Sequence, residues 1–202
     1  MTTMHRRTND PSRVASVCAL GAGLAWVVWV AVNSRTHGGL DVGAAAVGET
    51  TARFGAFLQV AWNLLLLPAA LVLHAELEPA APERMRLVTL AGIVSLLFWA
   101  FGSATRTITP VLEVTYIALS AVWWLGLGVA LRASRRGFAA FTLLLGVFAA
   151  WDALLSGWQQ VPFALFVTSA PKLPLSIIWD FALAWVLFPL GRRREISPSA
   201  TS

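Results

Sequence analysis

Three acidic side chains, Glu113, Asp152 and Asp180, lie inside long apolar stretches of this 202-residue chain. A charge at the centre of a membrane span costs about 2.5–3.5 kcal/mol on insertion scales, so such residues mark either a functional site or a locked ion pair. Two carboxylates close together in a low dielectric cannot both ionise easily, which suits a proton or cation site, and paired carboxylates can also do general acid–base work. Asp152 and Asp180 each follow a tryptophan, Trp151 and Trp179, and an indole beside a carboxylate can present its face to a ligand cation. Gln59, Asn63 and Arg106 add polar groups expected at a similar depth. The candidate ligand- or proton-binding residues are therefore Asp152, Asp180, Glu113, Asn63, Gln59, Arg106, Trp151 and Trp179.

The familiar catalytic and metal signatures are missing. AWDAL and IWDFA lack the glycine-flanked aspartate of intramembrane aspartyl proteases, and His74 opens HAELE, not HExxH. There is no GxSxG and no histidine within an outer-half span to activate a serine. Cys18 is the only cysteine, which excludes dithiol chemistry and internal disulfides, and no intramembrane histidine pair could hold a haem. No catalytic residue, cofactor or metal is expected, and a lipid-headgroup enzyme using Asp152 or Asp180 as general base is the weakest of three functional readings.

The elements that must position these residues follow from composition. The chain is 57% hydrophobic and 12% charged, with mean hydropathy +0.70, against about 25% charged in soluble domains. That excludes a water-soluble globule and a disordered chain. A crossing helix needs about 20 apolar residues, and six runs qualify: Val14 to Val32, Phe57 to Leu73, Leu87 to Phe101, Val111 to Leu131, Phe138 to Leu155 and Leu173 to Leu190. The predicted fold is an all-α, six-span bundle over residues 14–190, with cytoplasmic tails at 1–13 and 191–202. The N-terminal apolar run is too long for a signal-peptide core, so it reads as a retained first span.

The net charge of +5 does not imply nucleic acid, because the cations sit in small groups between the apolar runs. Eleven of the fifteen fall in loops on one side (Arg6, Arg7, Arg13, Arg84, Arg86, Arg132, Arg135, Arg136 and Arg192 to Arg194) and Arg35, Arg53, Arg106 and Lys172 on the other. Cations flanking spans are held in the cytoplasm, so both termini are expected inside, in a bacterial plasma membrane. Outside, residues 33–56 could hold a short surface helix, and WQQVPFALFV between the last two spans is too short to cross.

With this orientation Asp152 and Asp180 lie on the order of 8–10 Å beneath the outer hydrocarbon boundary, at about 1.5 Å per residue, on consecutive antiparallel helices. Residues three and four apart share a helix face. Polar or small seams result: Thr142, Gly146, Ala149, Asp152 and Ser156; Glu113, Tyr116, Ser120 and Trp124; Gln59, Asn63, Ala70 and His74; and Gly92, Ser95, Trp99, Gly102 and Arg106. These seams suit close helix packing and predict a polar, Trp-lined chamber in the outer half. Pro68 should kink the second span and widen it. Six of the ten tryptophans, Trp26, Trp29, Trp62, Trp151, Trp158 and Trp179, fall toward the outer half, where an aromatic belt at the interface is expected.

The segments ARFGAFLQVAWNLLLLPAALVLHAELEP and LRASRRGFAAFTLLLGVFAAWDALLSG resemble an uncharacterised family of bacterial six-helix membrane proteins, a domain of unknown function. The resemblance implies the six-helix fold over most of residues 13–194; the family has no established activity, so no function carries over from it. The leading reading is an integral membrane protein that binds a small molecule or couples a proton in the chamber, with the lipid bilayer as its surroundings. A structural or regulatory subunit, whose buried charges only lock the bundle, is the alternative.

Overall fold

The computed structural model describes residues 10–36, 49–157 and 171–196, and among these the chain is entirely helical between its turns. The helices are α1 (Pro11–Thr36), α2 (Glu49–Leu77), α3 (Pro82–Thr105), α4 (Pro110–Leu131), α5 (Arg136–Ser156) and α6 (Lys172–Ile196), with a short 3-10 turn, Glu78–Ala80, after α2. The first five are long and apolar enough to cross a membrane.

Several helix starts are written in the sequence. Pro11, Pro82 and Pro110 each occupy a first helical position, where the missing N–H costs nothing and φ is already helical. Asp10 accepts from the Ser12 N–H at 3.0 Å and Thr109 from the Leu112 N–H at 3.3 Å, capping α1 and α4.

The helices run beyond the expected spans. α2 begins at Glu49, so residues 49–56 form its first turns and not a separate surface helix. α6 continues through Arg192 to Ile196, into the expected tail. α2 passes through Pro68 as one unbroken helix. The segments 37–48 and 158–170, which contain WQQVPFALFV and Trp158, lie outside the described residues.

Each helix packs on its neighbours in sequence, and α1 also packs along α6, so the six close into a ring. The contact between α5 and α6 is the thinnest of the ring, although these two helices are consecutive. Between α4 and α5 the close approach is set by glycine: a Cβ on Gly146 would lie 2.9 Å from the Leu125 backbone nitrogen. This is the small-residue packing expected where lipid tails leave no hydrophobic force between helices.

The polarity of the bundle is turned inward. Val17, Leu20, Leu24, Phe57, Leu71, Leu87, Phe101, Val122, Val147, Leu154 and Trp185 are exposed, while Ser16, Asn63, Ser95, Ser103, Ser120, Thr142, Asp152, Ser176 and Asp180 are buried. Scattered exposed leucines are ordinary in soluble proteins, but an apolar outside around a polar inside is not. It fits a multi-pass membrane protein, whose solvent is as apolar as leucine.

Side-chain bonds tie α6 to the rest. The Trp26 indole N–H donates to Ser176 Oγ at 3.1 Å, that of Trp62 to Asp180 Oδ2 at 2.7 Å, and that of Trp179 to Thr142 Oγ1 at 3.0 Å. These link α6 to α1, α2 and α5. Further along α6, Ser16 Oγ donates to the Ala184 carbonyl at 2.7 Å and Arg135 Nη1 to the Val186 carbonyl at 2.8 Å. Three of the expected belt tryptophans are thus interior: Trp26, Trp62 and Trp179 are 8%, 3% and 0% exposed. The physical reason is that each indole N–H finds a polar partner across a helix interface, which competes with the headgroup region.

The bond to a carboxylate should outweigh the bond to a hydroxyl. Trp62→Phe, which keeps a ring and removes the donor from Asp180, is expected to destabilise the detergent-solubilised protein by about 1.5–3 kcal/mol, whereas Trp26→Phe costs about 0.5–1.5 kcal/mol. Thermal unfolding of both variants checks the order; equal or reversed losses would contradict the assignment of Asp180 as the critical acceptor.

Candidate functional site

All six helices contribute to one cavity of about 210 Å³. Trp26 comes from α1, Trp62 from α2, Trp99 from α3, Glu113, Tyr116, Ser120 and Trp124 from α4, Asp152 and Ser156 from α5, and Lys172 and Ser176 from α6. These positions run from the end of the ring where α1, α3 and α5 finish and α2, α4 and α6 begin, as at Glu113, Ser156 and Lys172, to the middle of the helices at Trp26, Trp62 and Trp124. The whole predicted seam of α4 faces this chamber, because Glu113, Tyr116, Ser120 and Trp124 recur at helical spacing.

The walls are ordered aromatic stacks. Trp26 lies between Trp29, with ring centroids 4.4 Å apart, and Trp62, at 4.9 Å. Tyr116 stacks on Trp99 at 4.5 Å. Trp124 is shared between the chamber wall and a second aromatic group, packing edge-on against Trp179 at 6.0 Å, which also meets Trp123 edge-on and stacks on Phe138. Such pairs add about 0.5–1.5 kcal/mol each beyond area burial and hold the rings in fixed orientations.

The charges of the chamber come from Asp152, Lys172 and Glu113. Asp152 is buried, and its Oδ2 accepts from Lys172 Nζ in an ion pair between the end of α5 and the start of α6. Lys172 is the only lysine in the chain, and its place just before the last apolar run suggests a loop charge. That singularity and its position at the same end as Asp152 were the available signals; the intervening segment hides the pairing. Glu113, in the first turn of α4, is exposed, and among the described residues no cation pairs with it.

The predicted residues therefore fall into separate places. Asp152 and Glu113 line the chamber. Asp180 is fully buried against Trp62 and does not line it; the two aspartates have different partners. Trp179 is fully buried in the aromatic group on the far side of Trp124. Asn63 is fully buried, and its amide donates to the Gln59 carbonyl one turn earlier, at 2.7 Å. Gln59 and Arg106 meet at a second depression among α1, α2 and α3, where Gln59 accepts from Ser103 at 2.9 Å. Arg106 closes α3 in the left-handed region, φ 56°. Trp151 is 39% exposed and turns outward.

Some buried polar atoms have no hydrogen-bond partner among the described residues: Asp180 Oδ1, Asn63 Oδ1 and Trp124 Nε1. An unsatisfied buried group costs about 1–3 kcal/mol, so the interior around the chamber is not polar-saturated.

The opposite end of the bundle carries a separate charged group. Arg135 lies 3.5 Å from Glu76, and Glu78 faces Arg86 at 3.3 Å and the His74 ring at 3.6 Å. His74 Nδ1 also lies 3.0 Å from Thr89 Oγ1. These contacts join the helix ends.

No protein-family model matches the chain, and neither a curated protein nor a solved structure matches it.

Breaking one half of a largely buried ion pair leaves the other charge without compensation. Asp152→Asn and Lys172→Met are each expected to lower stability by about 1–3 kcal/mol, and the double variant by less than the sum, with a coupling of at least about 0.5 kcal/mol. A double-mutant cycle by thermal unfolding measures this; strict additivity would show that the pair contributes no interaction energy.

Proposed function

We propose that the chain is a six-span protein of the bacterial plasma membrane that binds a small molecule in the aromatic chamber. The observation that carries this reading is the chamber itself: all six helices contribute to one cavity of about 210 Å³, walled by four tryptophans and a tyrosine, with charged groups at Asp152, Lys172 and Glu113. Small-molecule sites are typically concave and mostly aromatic or apolar, with a few polar groups that fix orientation. For scale, an apolar cavity of about 150 Å³ admits benzene.

Ligand binding is favoured over proton coupling through a carboxylate pair, because Asp152 and Asp180 have separate partners in Lys172 and Trp62. Asp180, with its bond to Trp62 and no face on the chamber, fits the alternative reading of buried charge as a packing device. The sixth crossing is assigned to α6, whose Leu173 to Leu190 run matches a bilayer in length. Both termini are assigned to the cytoplasm on the distribution of arginines. The chamber then opens toward the outer face.

A thermal-shift screen of small amphipathic molecules on purified protein tests the binding reading. Ligands are expected to stabilise the wild-type protein, by about 2.7 kcal/mol at a hundred times Kd, and to leave Ser156→Trp, which fills the chamber from its rim, unaffected. An empty screen, or equal shifts in both proteins, would refute it.

Topology has its own measurement. In a Cys18→Ala background, Thr107→Cys between α3 and α4 should react with an impermeant maleimide on intact cells, and Ser134→Cys between α4 and α5 only after permeabilisation. The reverse pattern would invert the orientation.

A further inference from the structure

We propose that the chamber is selective for organic cations, specifically a quaternary ammonium of about the size of choline. This deepens the small-molecule reading and rests on it.

The charge arrangement is the first argument. Two carboxylates, Asp152 and Glu113, face the chamber with a single ammonium, Lys172. Lys172 is engaged by Asp152, so that pair is neutral as a unit, and among the described lining residues Glu113 is left as the unbalanced charge. Among the described residues that line the chamber, the cation is Lys172, already engaged, so an anionic ligand would meet this carboxylate with nothing to receive it. A cationic ligand neutralises it.

The walls give the second argument. Trp26, Trp62, Trp99, Tyr116 and Trp124 surround the space; Trp26 is itself stacked between Trp29 and Trp62, so the faces for a cation are those of Trp62, Trp99, Tyr116 and Trp124, and tryptophan is the side chain whose face attracts cations best, by about 0.5–1 kcal/mol when exposed and about 2 kcal/mol or more when desolvated. The chamber has two carboxylates and a few hydroxyls among its rings, and among the described residues no group of three or more His, Cys, Asp or Glu side chains is placed to hold a metal ion, whereas a hard cation such as calcium takes six to eight oxygen ligands. A quaternary ammonium holds its water weakly and presents methyl groups to the rings, so the desolvation that excludes a metal ion is small for it.

Size is the third. Choline has about seven heavy atoms, close to benzene, which fits in about 150 Å³, and the chamber offers about 210 Å³. The rings are held in stacks, Trp26 on Trp29 and Trp62, and Tyr116 on Trp99, so the walls are ordered before the ligand arrives, which limits the entropy lost on binding.

The test compares choline with 3,3-dimethylbutan-1-ol, its uncharged isostere, on the purified full chain by calorimetry and thermal shift, with sodium chloride matched for ionic strength. Choline is expected to bind saturably and at least about tenfold more tightly than the alcohol. Glu113→Gln, at an exposed position that leaves the packing intact, should weaken choline about three- to tenfold and leave the alcohol unchanged, and Ser156→Trp should abolish both. Equal affinity for choline and the alcohol, or an unaltered choline affinity in Glu113→Gln, would overturn cation selectivity while the chamber still stands as a binding site. If neither compound binds, the cation inference falls, and the broader reading falls with it only when the wider ligand screen is empty as well.

Discussion

The arrangement of the bundle depends on how α6 carries a fully buried carboxylate through an apolar bundle. Asp180 has no exposed surface, and its bonded oxygen is held by the Trp62 indole at 2.7 Å. In such surroundings an ionisable group must find a donor inside the protein, because neither water nor lipid supplies one. That requirement links α2 to α6, the two helices that flank α1 in the ring, although they are separated by most of the chain. Trp26 on Ser176 and Trp179 on Thr142 repeat the device with neutral acceptors. With α6 anchored to α1, α2 and α5 in this way, direct contact between α5 and α6 is sparse, and the chamber lies where those helices meet α3 and α4.

The second organising element is the division of aromatic residues between two tasks. Trp123, Trp124, Trp179 and Phe138 pack on one another and fill space. Trp26, Trp62, Trp99 and Tyr116 line the cavity that remains. Trp124 belongs to both groups, so the cavity wall is continuous with the packed interior. The charges follow a similar division: Asp180 is used in packing, whereas Asp152, Lys172 and Glu113 face the opening. The two aspartates look equivalent in sequence, each preceded by a tryptophan near one end of a helix. Their neighbours make them different, since one has an indole partner in the interior and the other an ammonium at the chamber.

The helices themselves were readable in advance, as apolar runs bounded by prolines and polar turns, with ends extended by a few residues to two turns in the structure. The seams were readable too: Ser95 and Gly102 on α3, Ser120 and Trp124 on α4, and Thr142, Ala149 and Asp152 on α5 are all buried. A seam shows which face turns inward but not what stands opposite. For that reason Gln59 and Arg106 could be grouped with the aspartates by depth, yet they meet at a depression among α1, α2 and α3. Lys172 could be counted as a loop charge, yet it faces Asp152.

What the amino-acid sequence determined by itself was local and periodic: which stretches are helical, which faces are polar, and that the chain is too apolar for water. These depend on residues within a few turns of one another and on transfer free energies that need no partner. What only the tertiary structure decided was pairing: Asp152 with Lys172, Asp180 with Trp62, and side chains of all six helices around one cavity. Pairing depends on how the helices are rotated and ordered around the ring, and those degrees of freedom are set by the sum of contacts across the whole bundle, which no local window of residues contains.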